Sequence, residues 1–151
     1  NGTRPTTSVF SLGPHNEANN SSGETIAYCF ADVQGFSKMG SYVGNENADG
    51  TFVYTGFKPA FVMIKNTSTT TSWSILDNKR SVFNPADEYL KANTSDAVSD
   101  LGDVDILSNG LKMRTTNNHV NGPGNTYIYM AFAENPFVAT SGSTAVPVTA
   151  R

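Results

Sequence analysis

The sequence predicts an all-β fold, an antiparallel sandwich or jelly roll with almost no helix. Three observations lead to this prediction. Apolar runs are short, and turn residues separate them at the spacing typical of all-β domains. Two of these runs, residues 61–64 and 126–133, are apolar at successive positions, as in strands that are covered on both faces. The third observation is the scarcity of helical periodicity, which leaves room for about eight or nine strands.

The chain is organised around residues 54–65, whose densest apolar part is Phe61-Val62-Met63-Ile64. Alternate side chains of a strand point to opposite faces, so both faces are apolar here and we expect a strand in the middle of the sheet. Pro59 suits the entry to this strand, because a proline further inside would remove a backbone hydrogen-bond donor.

The other strands follow from the same patterns. We expect a buried strand at residues 25–32, a weaker one at 36–43, a short one at 51–54, an alternating one at 72–77 and a doubly apolar one at 126–133.

Two local signals predict how further segments are connected. Asn109-Gly110 predicts a hairpin between residues 104–108 and 111–115, because both turn residues tolerate positive φ. Asn84-Pro85 predicts one or two helical turns through Leu90, with Asn84 as the cap and Pro85 at the first position.

Residues 26–32 align with residues 128–134 at an offset of 102 (134 − 32 = 102). Two interpretations stay open: chance similarity between apolar strands, or the end of one repeat unit followed by a complete unit. We divide the chain into a lead-in with the end of a preceding unit (1–24), a β-sandwich domain (25–138) and an extended tail (139–151).

Composition excludes several classes of protein. With 151 residues, 15% of them charged, and a net charge of −3, the chain lacks the basic patch that nucleic-acid binding requires. No run approaches the roughly 20 apolar residues of a membrane helix. Cys29 is the only cysteine, so an intrachain disulfide is impossible, and its apolar surroundings predict a buried, inert thiol.

The motifs of common catalytic sites are missing from the sequence, and we predict neither an enzyme nor a cofactor. His15 and His119 both fall in Asn/Gly loops, where we expect them to be exposed to solvent. No G-x-S-x-G turn or phosphate-binding glycine loop occurs. The densest acidic group is expected to be solvated loop carboxylates rather than a calcium site; its members are Asp96, Asp100, Asp103 and Asp105.

Exposed aromatic and amide side chains are the candidates for contact with a sugar. Aromatic residues at strand spacing are more often packed in a core, so each of these assignments competes with burial. The candidate ligand contacts are Trp73, Asn78, Lys79, Arg80, His119 and Tyr127.

Several segments together resemble a family of domains from structural proteins of tailed phages, especially marine ones. The matching segments are FADVQGFSKMGSYVGN (30–45), DGTFVYTGFKPAFVMIKN (49–66), WSILDNKRSVFNPADEYLKANTSDA (73–97), DILSNGLKMR (105–114) and NTYIYMAFAENPFV (125–138). The resemblance implies a laminin-G-like or concanavalin-like sandwich, units repeated in tandem, and a place in tail fibres or other virion surface proteins. It brings no catalytic motif.

We therefore expect a non-enzymatic virion surface domain of a phage fibre or receptor-binding protein. The expected partners are other copies of the chain (a homo-oligomer, as a trimer), other virion proteins, and a host surface glycan, with no nucleic acid and no membrane insertion. The expected contact surface is the three loops at residues 14–23, 66–71 and 117–125. A capsid decoration or head-fibre protein is the first alternative, and a polysaccharide depolymerase that uses Asp100, Asp103 and Asp105 is the second.

Overall fold

The computed structural model of the chain describes residues 4–136, 138–139 and 146–147. The chain divides into two compact units, residues 1–30 and residues 31–151. The described part of the first unit is irregular apart from a few short turns. In one of them the amides of Ala18 and Asn19 donate to the carbonyl of His15 at 3.0 and 2.8 Å. Residues 4–30 contain neither strand nor helix.

The strand expected at residues 25–32 is therefore wrong. Ile26 and Tyr28 are 77% and 80% exposed, and the thiol of Cys29, which we expected to be buried, is exposed as well. An apolar segment is stable as a strand only between neighbours that pair with its backbone. The similar segment 128–134 has such neighbours in the second unit, whereas residues 25–30 form no strand pairing.

The second unit is built from strands. Eight of them form one sheet: β1 (Ser37–Val43), β2 (Phe52–Tyr54), β3 (Pro59–Asn66), β4 (Ser74–Asp77), β5 (Ala86–Lys91), β6 (Ser99–Leu107), β7 (Gly110–Met113) and β8 (Thr126–Ala133). Two shorter strands, β9 (Val138–Ala139) and β10 (Val146–Pro147), pair with each other. The rest of the C-terminal tail lies outside the described residues.

The large sheet runs in the order β1-β8-β3-β4-β5-β6-β7-β2, with every neighbouring pair antiparallel. It is nearly closed into a barrel. The hydroxyl of Thr51, just before edge strand β2, donates to the carbonyl of Val43 at the end of the other edge strand, β1, at 2.7 Å. The all-β class is thus confirmed, and the described residues contain no helix. Consequently, none of them forms a helix that could cross a membrane.

Strand β3 lies between β8 and β4, as its apolar pattern predicts. Val62 and Ile64 are completely buried, whereas Phe61 and Met63 on the other face are half-buried. Pro59 is the first residue of the strand, where its missing N–H interrupts no ladder. The inner face of the sheet forms the core, in which the rings of Tyr42 and Tyr127 stack at 4.9 Å.

The predicted hairpin between β6 and β7 exists, but the reason for its glycine is different. Leu107 pairs with Gly110, so the two turn residues are Ser108 and Asn109. Neither Asn109 nor Gly110 has positive φ. A Cβ on Gly110 would lie only 2.2 Å from the carbonyl oxygen of Val53 in β2. Glycine is required here because the backbone of β2 approaches closely.

The helical turn predicted after Asn84 is wrong, since residues Ala86–Lys91 form β5. The Asn84 side chain caps no helix. Its amide donates to the carbonyl of Ile106 at 2.9 Å, and its oxygen accepts from the amide of Ile106 at 2.9 Å. The side chain thus occupies the hydrogen-bonding position of a strand neighbour, which a single sequence window does not reveal.

Candidate functional site

Two of the three loops expected to contact a ligand are tied into the core. Asn66 and Asn121 are completely buried. The amide of Asn121 donates to the carbonyls of Asn47 and Thr115 at 2.9 and 2.8 Å and to Oδ1 of Asn45 at 3.1 Å. Buried amides with this many partners hold the connecting loops in place. These loops therefore offer less free surface than their composition suggests.

Tyr127 is completely buried, so it does not contact a ligand as predicted. Its hydroxyl accepts from the amide of Gly122 at 2.7 Å and donates to the carbonyl of Asn118 at 2.8 Å. The aromatic position is a core position because Tyr127 lies on the inner face of β8, stacked on Tyr42.

His119 is half-buried rather than exposed, with its ring centroid 5.8 Å from that of Tyr89. Burial lowers the pKa of His119, and the positive charges of Lys91 and Lys65 lower this pKa further. The prediction of a solvent-exposed side chain is confirmed for His15 and wrong for His119.

The predicted residues around β4 have different environments. Trp73 is half-buried, and its backbone amide donates to Oδ1 of Asn93 at 3.0 Å. Arg80 is engaged within the chain, since its guanidinium lies 2.6 Å from the carboxylate of Asp77. Lys79 is exposed. Asn78 lines a cleft.

The acidic group between residues 96 and 105 is dispersed among ion pairs. Asp96 binds Lys91 at 2.7 Å, and Asp105 lies 3.4 Å from Arg114. The hydrogen bond from Lys91 lowers the pKa of Asp96. The side chain of Asp103 lies outside the described residues, and the residues that are described contain no cluster of three or more His, Cys, Asp or Glu suited to a metal ion.

Two adjoining clefts at one end of β3 form the best candidate site. The first measures about 250 Å3 and is lined by Gly56, Phe57, Lys58, Ser108, Glu134 and Asn135. The second measures about 170 Å3 and is lined by Lys58, Asn78, Ser81, Val82, Phe83, Asn84 and Ile106. Lys58 lines both, and we call the pair the trough. Each cleft is smaller than the roughly 300 to 1,000 Å3 of pockets that enclose drug-sized ligands, so the trough suits shallow contact.

Three polar side chains meet in the trough. Nζ of Lys58 lies 2.8 Å from Oε2 of Glu134, and Nδ2 of Asn78 donates to Oε1 of Glu134 at 2.7 Å. The hydrogen bond from Lys58 is the main cause of the lowered pKa of Glu134, which therefore stays ionised near neutral pH. Oδ1 of Asn78 is buried and accepts no hydrogen bond from any described residue.

The antiparallel sheet brings these side chains together. Glu134 follows β8 and Asn78 follows β4, and both of these strands are neighbours of β3 that run in the opposite direction. Both chain segments therefore meet the start of β3, where Glu134 donates its amide to the carbonyl of Lys58 at 2.9 Å and Asn78 to that of Ala60 at 3.1 Å. The loop at residues 66–71 follows the other end of β3, seven residue steps or roughly 23 Å away.

Sequence reasoning identified Asn78 and missed Lys58, Phe83 and Glu134. Phe83 and Val82 form an apolar wall and are 85% and 69% exposed. The missed residues belong to different strands or loops, and the chain contains no local motif that joins them. Pairing of β3 with β4 and β8 is the only signal that could have found them.

A larger cleft of about 330 Å3 adjoins the trough through Gly56 and Phe57. It lies at the seam between β1 and β2, and Tyr54 on its wall is 64% exposed. The charged groups on the opposite wall, Asp32 and Lys38, form an ion pair, and Lys38 is the largest cause of the lowered pKa of Asp32. Its lining contains no buried polar side-chain atom that lacks a partner among the described residues, which makes it a weaker candidate than the trough.

The model of the family DUF7483, a domain of unknown function, matches residues 1–136. The chain therefore belongs to this family. No curated protein and no solved structure matches the chain.

Proposed function

We propose that this chain is a non-enzymatic surface domain of a phage virion, part of a tail fibre or receptor-binding protein, that contacts a glycan on the host surface. The observation that carries the ligand part of the proposal is the trough, with Lys58, Asn78 and Glu134 beside the exposed ring of Phe83. The phage setting is supported by the resemblance of residues 30–138 to such domains.

The geometry of the trough favours binding over proton transfer. A general acid or base works best with a pKa near the working pH, whereas the Lys58 ion pair lowers the pKa of Glu134 away from neutrality. The paired strands form a rigid scaffold that holds hydrogen-bonding side chains next to an exposed aromatic ring. Such an arrangement suits recognition of a polar ligand.

The proposal has two finer parts that rest on the sequence resemblance. The first part is the fold: we assign the nearly closed sheet to the laminin-G-like sandwich or jelly-roll class. The chain assembles as a homo-oligomer, a trimer in a fibre, at the virion surface and alongside other virion proteins.

Binding of labelled chain to arrays of bacterial polysaccharides tests the proposed function. We expect binding by the 151-residue chain and its loss in Phe83→Ala. The matched control is Phe52→Ala, which removes another exposed phenylalanine from β2, outside the trough. Equal binding by both variants would remove the trough from the proposal, and no binding by the unmodified chain would overturn glycan recognition.

Two further measurements test the setting and the absence of catalysis. Cryo-electron microscopy of a particle that carries this chain is expected to show it on a fibre or at the tail tip. Density on the capsid lattice would instead favour the decoration or head-fibre alternative. Release of reducing ends from a bound polysaccharide would overturn the non-enzymatic assignment and favour a depolymerase.

A further inference from the structure

The orientation of the Asn78 amide follows from its neighbour. An ionised carboxylate only accepts hydrogen bonds, so the NH2 group of Asn78 must point toward Glu134, at 2.7 Å. The backbone amide of Asn78 is held by the carbonyl of Ala60 at 3.1 Å. With its backbone and its NH2 group both engaged, Asn78 keeps its carbonyl oxygen in a fixed direction.

That oxygen is buried and has no donor among the described residues. Leaving a buried acceptor unpaired costs about 1–3 kcal/mol, and such groups are rare in folded proteins. Asn78 lines the cleft, so a small movement of the cleft wall beside it would let a bound molecule supply the missing donor. The group that it supplies must carry an O–H or N–H.

The charges in the trough restrict which ligands can bind. Lys58 and Glu134 neutralise each other at 2.8 Å. A ligand carboxylate would be repelled by Glu134, and a ligand ammonium would compete with Lys58 for it. Lys79, which is exposed, is the other cation whose charge reaches Glu134, and solvent screens its field. The trough therefore favours a ligand without formal charge.

The apolar wall completes the pattern. Val82 and Phe83 are 69% and 85% exposed and line the Asn78 side of the trough. An aromatic ring offers a large rigid apolar surface at low conformational cost, which suits a ligand with one C–H face and a polar edge. Hydroxyl groups around an apolar ring face are the chemistry of an uncharged pyranose.

We propose that the trough binds an uncharged hexose unit, which donates a hydroxyl to Oδ1 of Asn78 and packs one ring face on Phe83. The inference rests on the proposed glycan function. It adds the class of ligand and identifies Asn78 as the residue that recognises it. Glu134 accepts a further hydroxyl, and Lys58 donates to a ring or hydroxyl oxygen.

Calorimetric titration of the full chain tests this proposal with matched neutral and acidic sugars. The probes are oligosaccharides of glucose or galactose and the same oligosaccharides oxidised to uronic acids. We expect the neutral forms to bind at least tenfold more tightly. We also expect Asn78→Ala to weaken neutral binding about tenfold, the effect of losing roughly 1.4 kcal/mol. Asn19→Ala, which removes an exposed asparagine that does not line the trough, should change affinity less than threefold.

The outcomes separate this inference from the proposed function. Tighter binding of uronic acids, lost in Asn78→Ala, would overturn the ligand class and leave glycan binding intact. Neutral binding that survives both Asn78→Ala and Phe83→Ala would overturn the assignment of the site. Failure of every glycan to bind would overturn both proposals. Circular dichroism checks that each variant folds; if Asn78→Ala does not, Phe83→Ala decides the site on its own.

Discussion

The hydroxyl of Tyr127 connects the core to the loop at residues 117–125, and Tyr127→Phe measures that connection. The substitution keeps the ring stacked on Tyr42 and removes one oxygen. The buried amide of Gly122, 2.7 Å from this oxygen, loses its partner, whereas Asn66 keeps its hydrogen bond to the carbonyl of Asn118 at 2.9 Å. A single unpaired buried donor costs about 1–3 kcal/mol, so we expect a loss of about 2 kcal/mol in the free energy of unfolding.

Urea unfolding of the full chain, followed by the fluorescence of Trp73, measures this loss as a lower midpoint at unchanged slope. Tyr129→Phe is the matched control on the same strand, because the Tyr129 hydroxyl forms no hydrogen bond with a described residue. We expect the control to lose less than about 0.5 kcal/mol. Equal losses in the two variants would refute the argument that the hydrogen bonds of the Tyr127 hydroxyl carry this stability.

Three further predictions concern a close contact, a titration and an exposed thiol. Gly110→Ala should lower the free energy of unfolding, measured by thermal unfolding, by about 2 kcal/mol or more, because its Cβ would lie 2.2 Å from a carbonyl oxygen of β2. Gly23→Ala is the control: its Cβ would have its nearest contact at 3.5 Å, so the loss should be under about 0.5 kcal/mol. Burial lowers the pKa of His119, so the unfolded chain takes up the proton first. The stability that the neutral ring contributes should therefore be complete above about pH 6.5 and be lost as the pH falls through the lowered pKa of the folded state. Urea midpoints measured from pH 7.5 to pH 5 test this pH dependence. His119→Phe should flatten the profile of midpoint against pH, whereas His15→Phe should leave it unchanged. A profile flattened by His15→Phe and not by His119→Phe would contradict the assignment to His119. Cys29 should react with a thiol reagent as fast in the native chain as in urea, and slow native labelling would show the exposed placement to be wrong.

Asparagine performs structural tasks in this chain that its abundance alone does not reveal. Asn84 pairs with the backbone of Ile106, and Asn121 holds three carbonyl or amide oxygens from two loops. A composition rich in Asn suggests an adhesive surface, yet Asn121 is completely buried and the Asn84 side chain is engaged with the backbone. Asn78 differs from them, because one of its two polar atoms has no partner within the described residues.

Local patterns were enough to predict those strands that are marked by apolar alternation and turn residues close together in the sequence. The apolar run of β3, its proline at the first position and the hairpin of β6 and β7 are all present, since strand alternation and turn formation depend on residues close in sequence. The same reasoning failed at residues 25–32, whose pattern is that of β8, because a strand also needs paired neighbours.

The sequence by itself determined that this is an all-β chain with a central strand around the apolar run at residues 61–64, and it pointed to Asn78 as a ligand contact. Only the tertiary structure decided that Tyr127 is a core residue, that Gly110 is required by an approaching strand, and that Asn78 lies beside Glu134. The physical reason is the distance along the chain: 56 residues separate Asn78 from Glu134, and sheet pairing, which no local pattern specifies, brings them within 2.7 Å.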